Sequence, residues 1–126
     1  MKISIIGGCG FIGLSLFNYL YKRNFNVKVI DTKKRFLKSK INKKFFISVN
    51  YKKKSDIKKA IKKTDILINL FSSSNLSSSS NNLRTQNNLI DRKINKEIFT
   101  IASSLKIKKI IFSSSGGTVY GNKRKF

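Results

Sequence analysis

At 126 residues the chain is the size of one domain and long enough to bury a core. Its single cysteine excludes an internal disulfide and fits a reducing cytoplasm, and no apolar run is long enough to cross a bilayer, so no membrane partner is expected. With 28 basic and 5 acidic residues the formal charge is +23. The lysines are spread over every segment, however, and no helix-turn-helix, zinc-finger or ribonucleoprotein motif accompanies them. Salt-sensitive adsorption to polyanions is expected; specific nucleic-acid recognition is not.

Residues 2–6 form a short apolar run, predicted to be a buried strand. Glycines at 7, 8 and 10 break it. Residues 11–23 then place Phe11, Ile12, Leu16, Leu20 and Phe17 toward one helical face, with Asn24 ending the helix. Residues 27–31, Val-Lys-Val-Ile-Asp, are rich in β-branched side chains and predict a second strand. Residues 32–44 are basic and carry no clear period. A third strand is expected over 45–49 and a helix over 55–63, started by Ser55 or Asp56. A fourth strand is expected over 65–70, followed by a low-complexity Ser/Asn loop over 72–82. Residues 83–105 carry Leu89, Ile90, Ile94, Ile98, Ile101, Ala102 and Leu105 at helical spacing, and 108–113 form a fifth strand. Strands alternating with helices predict an α/β fold, a Rossmann-type doubly wound parallel sheet of strand order 3-2-1-4-5.

The segment most informative about chemistry is Gly7-Gly8-Cys9-Gly10-Phe11-Ile12-Gly13, spaced G-x-x-G-x-x-G. Gly7 serves the tight turn off the strand, Gly10 the approach of backbone amides to a pyrophosphate, and Gly13 the close packing of the helix. The helix start offers unpaired N–H groups and a positive dipole end to phosphates. The motif follows a strand, opens a helix and leads to a second strand ending in an acid, which is the context a dinucleotide site requires. That acid, Asp31, suits the ribose hydroxyls of NAD and repels the 2′-phosphate of NADP, although Lys33, Lys34 and Arg35 follow at once. No metal site is expected.

On these residues, together with Phe112-Ser113-Ser114-Ser115-Gly116-Gly117-Thr118-Val119-Tyr120-Gly121, the chain resembles the extended short-chain dehydrogenase/reductase family. Within it, it is most similar to the NAD-dependent nucleotide-sugar epimerases and dehydratases of the UDP-glucose 4-epimerase type. The last segment is similar to the family's Ser-Ser-x-x-x-Val-Tyr-Gly. The resemblance implies cofactor contacts at Gly7, Gly10, Phe11, Ile12 and Gly13, and at Leu70, Phe71 and Ser72 where the fourth strand passes the cofactor. It also implies that Asp56 and Ile57 match a pair after the third strand that lies against the adenine; a plain helix cap is an equal alternative for Asp56.

The resemblance further implies a sugar-oxidising site served by a Tyr base, a Lys partner and a Ser or Thr hydroxyl. Either Ser115 or Thr118 stands near the position for the hydroxyl. The Tyr-x-x-x-Lys pair does not occur in these 126 residues. The expectation is therefore an NAD-binding domain over 1–126, cut after the fifth strand, with the substrate domain and most of a UDP-sugar site lying elsewhere. Its alternative is a dinucleotide-binding module or remnant without catalysis. An open fifth strand would favour a homodimer or aggregation.

Overall fold

The computed structural model describes residues 1–73 and 81–113. Five strands form one sheet, β1 (Lys2–Ile6), β2 (Asn26–Asp31), β3 (Phe46–Ser48), β4 (Ile66–Asn69) and β5 (Lys109–Phe112). All four pairings are parallel, and the order is β3-β2-β1-β4-β5. The expected topology is the one observed. Four helices connect the strands: α1 (Phe11–Lys22), α2 (Lys33–Leu37), α3 (Lys54–Ile61) and α4 (Asn81–Ser104). No helix among the described residues is long and apolar enough to cross a membrane.

Alternation along the strands splits the core in two. Ile3 and Ile5 of β1, with Val27, Val29 and Ile68, pack on Phe17 of α1. Ile6, Ile30 and Leu67 point to the other face, against Ile57 and Ile61 of α3 and Ile94, Ile98 and Ala102 of α4. A parallel sheet covered on both faces needs near-continuous apolar strands, which is how β1, β2 and β4 read. Ser4 is a buried exception, and its hydroxyl shares a 2.7 Å hydrogen bond with that of Thr64. Asn24 ends α1 with φ 61°, a left-handed turn that asparagine tolerates.

Four local expectations are corrected. Phe11 and Ile12 do not join the α1 core face; they are 89% and 63% exposed, because α1 begins beyond the carboxyl edge of the sheet. Leu89 and Ile90 of α4 are likewise exposed. The unassigned basic stretch holds α2, capped by Thr32, whose hydroxyl accepts from the Arg35 N–H, and a 3-10 turn over Lys43–Phe45. Finally, α3 starts after Lys53 with no side-chain cap, so neither Ser55 nor Asp56 caps it; Asp56 stands in the first turn.

Candidate functional site

The chain leaves β1 at Ile6 and reverses through Gly7, whose φ of +73° is a conformation other residues rarely adopt. A side chain there would also meet the Leu70 carbonyl oxygen at 2.9 Å. Gly7 is fixed by donating its N–H to the Ile30 carbonyl, 2.9 Å away. At Gly13 a Cβ would stand 2.5 Å from the Gly8 Cα, so only glycine lets α1 sit this close to the loop. Gly10 is different. It caps α1 in an extended conformation, and an added Cβ would meet only the Gly7 carbonyl oxygen, at 3.3 Å. The first intrahelical bond runs from the Leu14 N–H to the Gly10 carbonyl, at 2.9 Å. The amides of Phe11, Ile12 and Gly13 therefore precede the helical ladder, as a phosphate-binding helix start requires.

This loop forms one wall of a groove of about 1640 Å³ at the carboxyl ends of the strands. It opens where β1 and β4, neighbours in the sheet but far apart in the chain, diverge, the place where open α/β sheets bind ligands. Gly7, Gly10, Phe11, Ile12 and Gly13 line it, as do Leu70, Phe71 and Ser72 beyond β4. Five cations (Lys34, Arg35, Lys38, Arg92 and Lys96) and one carboxylate (Asp91) complete the charged lining. The excess of positive charge suits a diphosphate.

The opposite wall depends on polar groups that the sequence pattern did not single out. Asn69, fully buried at the end of β4, donates from Nδ2 to Asn95 Oδ1 (2.8 Å) and accepts from the Phe71 N–H (3.0 Å). One turn earlier on α4, the Asp91 carboxylate accepts from the Ser73 N–H (3.0 Å) and from the hydroxyls of Ser72 and Ser73. These bonds moor the segment after β4 to α4. Phe71 stacks obliquely on Tyr51, with ring centroids 4.5 Å apart. Asn69, Asp91 and Asn95 carried no recognisable local signal, since their partners are distant in sequence.

Asp31 behaves differently from the simple expectation. It is 1% exposed. Its Oδ2 accepts from the Cys9 N–H (3.0 Å) and its Oδ1 from the Thr32 N–H (2.8 Å), which ties the glycine loop to the end of β2. Burial raises its carboxyl above the usual range, against the opposing pull of the two amides and the Arg35 guanidinium. Asp31 is not among the groove-lining residues. The neighbouring Cys9 thiol is pushed up to about 11, mainly by burial, so position at a helix start does not activate it.

Asp56 and Ile57 are not brought to the groove. Asp56 Oδ2 accepts from the Asn50 N–H (3.2 Å), and Ile57 is 1% exposed within the α3 core. The residues that follow β3 directly are Val49, Asn50 and Tyr51, so Asp56 and Ile57 stand inside α3 and not at the turn that leaves β3. Ser115 and Thr118 lie outside the described residues. The last described position, Ser113, does line the groove and donates its N–H to the Asn69 carbonyl at 3.2 Å.

Comparison with known proteins agrees with this geometry. Residues 4–126 match the 3-beta hydroxysteroid dehydrogenase/isomerase family. A Methanocaldococcus jannaschii protein with the provisional name UDP-glucose 4-epimerase is 31% identical over 125 residues, covering 94% of this chain and 39% of that protein. Among solved structures, the UDP-glucose 4-epimerase of Thermus thermophilus in complex with NAD superposes with a TM-score of 0.72 at 18% identity, over 92% of this chain and 38% of that one. An epimerase from Methanothermobacter thermautotrophicus gives a TM-score of 0.77 at 21% identity, over 99% and 38%. At these identities the structural likeness is one of fold, and the chain spans about two fifths of the length of these relatives. The family match over nearly the whole sequence shows that the chain belongs to the 3-beta hydroxysteroid dehydrogenase/isomerase family, among the extended short-chain dehydrogenase/reductases.

Proposed function

We propose that residues 1–126 are the NAD-binding unit of a nucleotide-sugar epimerase or dehydratase. The observation that carries this reading is the Gly7–Gly13 turn, which sets the start of α1 against a cation-lined groove at the junction of β1 and β4. The residues present fit the cofactor. Gly10 leaves a cradle that a larger side chain would fill, and the amides of Phe11, Ile12 and Gly13 are donors for a diphosphate. Leu70, Phe71 and Ser72 would flank the dinucleotide across the groove, and Asp31 holds the loop that receives it. Bound NAD supplies a hydride acceptor and donor; the protein's part is to orient it and exclude water.

The relatives named for UDP-glucose epimerisation support a nucleotide sugar as the substrate. Ser115 or Thr118 would hold the sugar oxygen. A cytoplasmic setting suits the lone thiol. These 126 residues contain no Tyr-x-x-x-Lys, so dinucleotide binding, and not turnover of UDP-glucose, is the activity assigned to them by themselves.

Calorimetric titration with NAD tests the reading. Gly10→Val keeps a backbone conformation open to any residue and meets one close neighbour, the Gly7 carbonyl oxygen at 3.3 Å, yet blocks the phosphate approach. It should lower NAD affinity about tenfold or more, while the melting temperature stays close to that of the parent. Equal NAD affinity in the two proteins, or none in the parent, would contradict the assignment.

A further inference from the structure

Behind the groove lies a buried phenol that the dinucleotide reading leaves without a role. Tyr51 follows β3, is 7% exposed and does not line the groove. Its two ends meet the two walls. The ring lies against Phe71, which does line the groove and whose N–H is held by Asn69 Oδ1. The hydroxyl donates to the Ile30 carbonyl (3.4 Å), the same oxygen that accepts the Gly7 N–H (2.9 Å), and that N–H faces the phenol oxygen as well. The bonds continue from there. The Gly7 carbonyl accepts from the Gly10 N–H (3.1 Å), and the Gly10 carbonyl accepts from the Leu14 N–H. A chain of hydrogen bonds thus runs from the Tyr51 hydroxyl through the glycine turn to the first turn of α1. The amides of Phe11, Ile12 and Gly13 hang on that chain, so a shift at Gly7 is carried to the phosphate donors.

We propose that Tyr51 is a positioning residue for dinucleotide binding: its hydroxyl sets the glycine turn, its ring sets the wall beyond β4, and one buried side chain thereby fixes the spacing of the groove. The inference rests on the dinucleotide reading above and goes beyond it, because Tyr51 acts through Gly7 and Phe71 and not by touching the ligand. Binding geometry is sensitive to displacements of about 1 Å, so a support behind the walls matters as much as the walls.

Two substitutions separate the two ends. Tyr51→Phe keeps the ring and the core volume and removes only the hydroxyl. Its amide spectrum should move at Gly7 and Gly10 and stay in place at residues 70–73, and its NAD affinity should fall about threefold with the melting temperature close to that of the parent. Tyr51→Leu removes both ends. It should move residues 70–73 as well and lower NAD affinity about tenfold or more. Ile98→Val, a core substitution in the same layer and outside the groove lining, controls for lost stability; it should lower the melting temperature and leave NAD affinity within about twofold of the parent. Parental NAD affinity and unmoved Gly7 and Gly10 amides in Tyr51→Phe, or an equal loss of affinity in Ile98→Val, overturn the positioning role and leave the NAD reading standing. Failure of the parent chain to bind NAD overturns both. The conservative Tyr51→Phe decides the matter even if Tyr51→Leu does not fold.

Discussion

β1 and β5 are parallel strands of one sheet with similar composition, Lys-Ile-Ser-Ile-Ile and Lys-Ile-Ile-Phe, yet their surroundings are opposite. In β1 every residue after Lys2 is buried, between β2 and β4 and between two helical layers. In β5 only Ile110 packs on the core; Ile111 and Phe112 remain 44% and 45% exposed, and β4 is its one partner among the described residues. A strand's apolar composition says that it will be covered, and its place in the sheet decides by what. The contrast also separates the two sides of the groove. The glycine wall grows directly from the buried strand, whereas the wall beyond β4 is held by side-chain hydrogen bonds to α4.

The contrast can be sharpened by substitution. Ile5→Ala, at a position with no exposure, should cost about 2–5 kcal/mol in urea unfolding, by lost burial and the cavity left behind. A cost as small as that of an edge residue would refute the central placement of β1. Asn69→Ala strands the Phe71 N–H and the Asn95 amide, and should cost about 1–3 kcal/mol. It should also loosen the segment after β4, seen as faster amide exchange at residues 70–73; unchanged exchange there would show that Asn69 does not moor it. Ile111→Ala on the edge should cost about 1 kcal/mol or less. Ile111→Lys should reduce any self-association measured by sedimentation, because a charged edge resists pairing with another copy. Greater association of the lysine variant would reverse that account of the edge.

The smallest effect concerns Cys9. Its thiol, shifted to about 11, is protonated at neutral pH and becomes reactive only as pH rises toward that value. Alkylation of the folded chain should climb about tenfold per pH unit from 7 to 10 without levelling, and should level earlier in urea. A plateau near pH 9 in the folded protein would indicate an ordinary thiol.

The sequence makes local features legible and long-range ones much less so. The strand, glycine turn, helix and second strand up to Asp31 are contiguous, and their pattern predicts both the topology and the groove. Ile94, Ile98 and Ala102 announce the buried face of α4 by their spacing. Phe11 and Ile12 fit the same kind of pattern, but periodicity does not reveal that α1 starts beyond the sheet edge. The five-residue α2 is too short and too basic to show a period, so the lysines that line the groove read as a loop. The Asp31 carboxylate is fixed by the Cys9 amide, and the Asn69–Asn95 bond joins residues 26 apart; neither follows from a motif. Asp56 and Ile57 match a two-letter pattern that carries no information on depth, and the structure sets the pair inside α3, away from the groove.

The central claim is that the glycine turn and the start of α1 receive a dinucleotide. Amide chemical shifts of the isotope-labelled chain, followed during titration with NAD, test it most directly. The account predicts saturable shifts at Gly10, Phe11, Ile12 and Gly13 and at residues 70–73, with Asn24, Phe25 and Asn26, where α1 ends and β2 begins, left in place. Shifts spread over the scattered lysines and erased by physiological salt, with residues 10–13 unmoved, would contradict it.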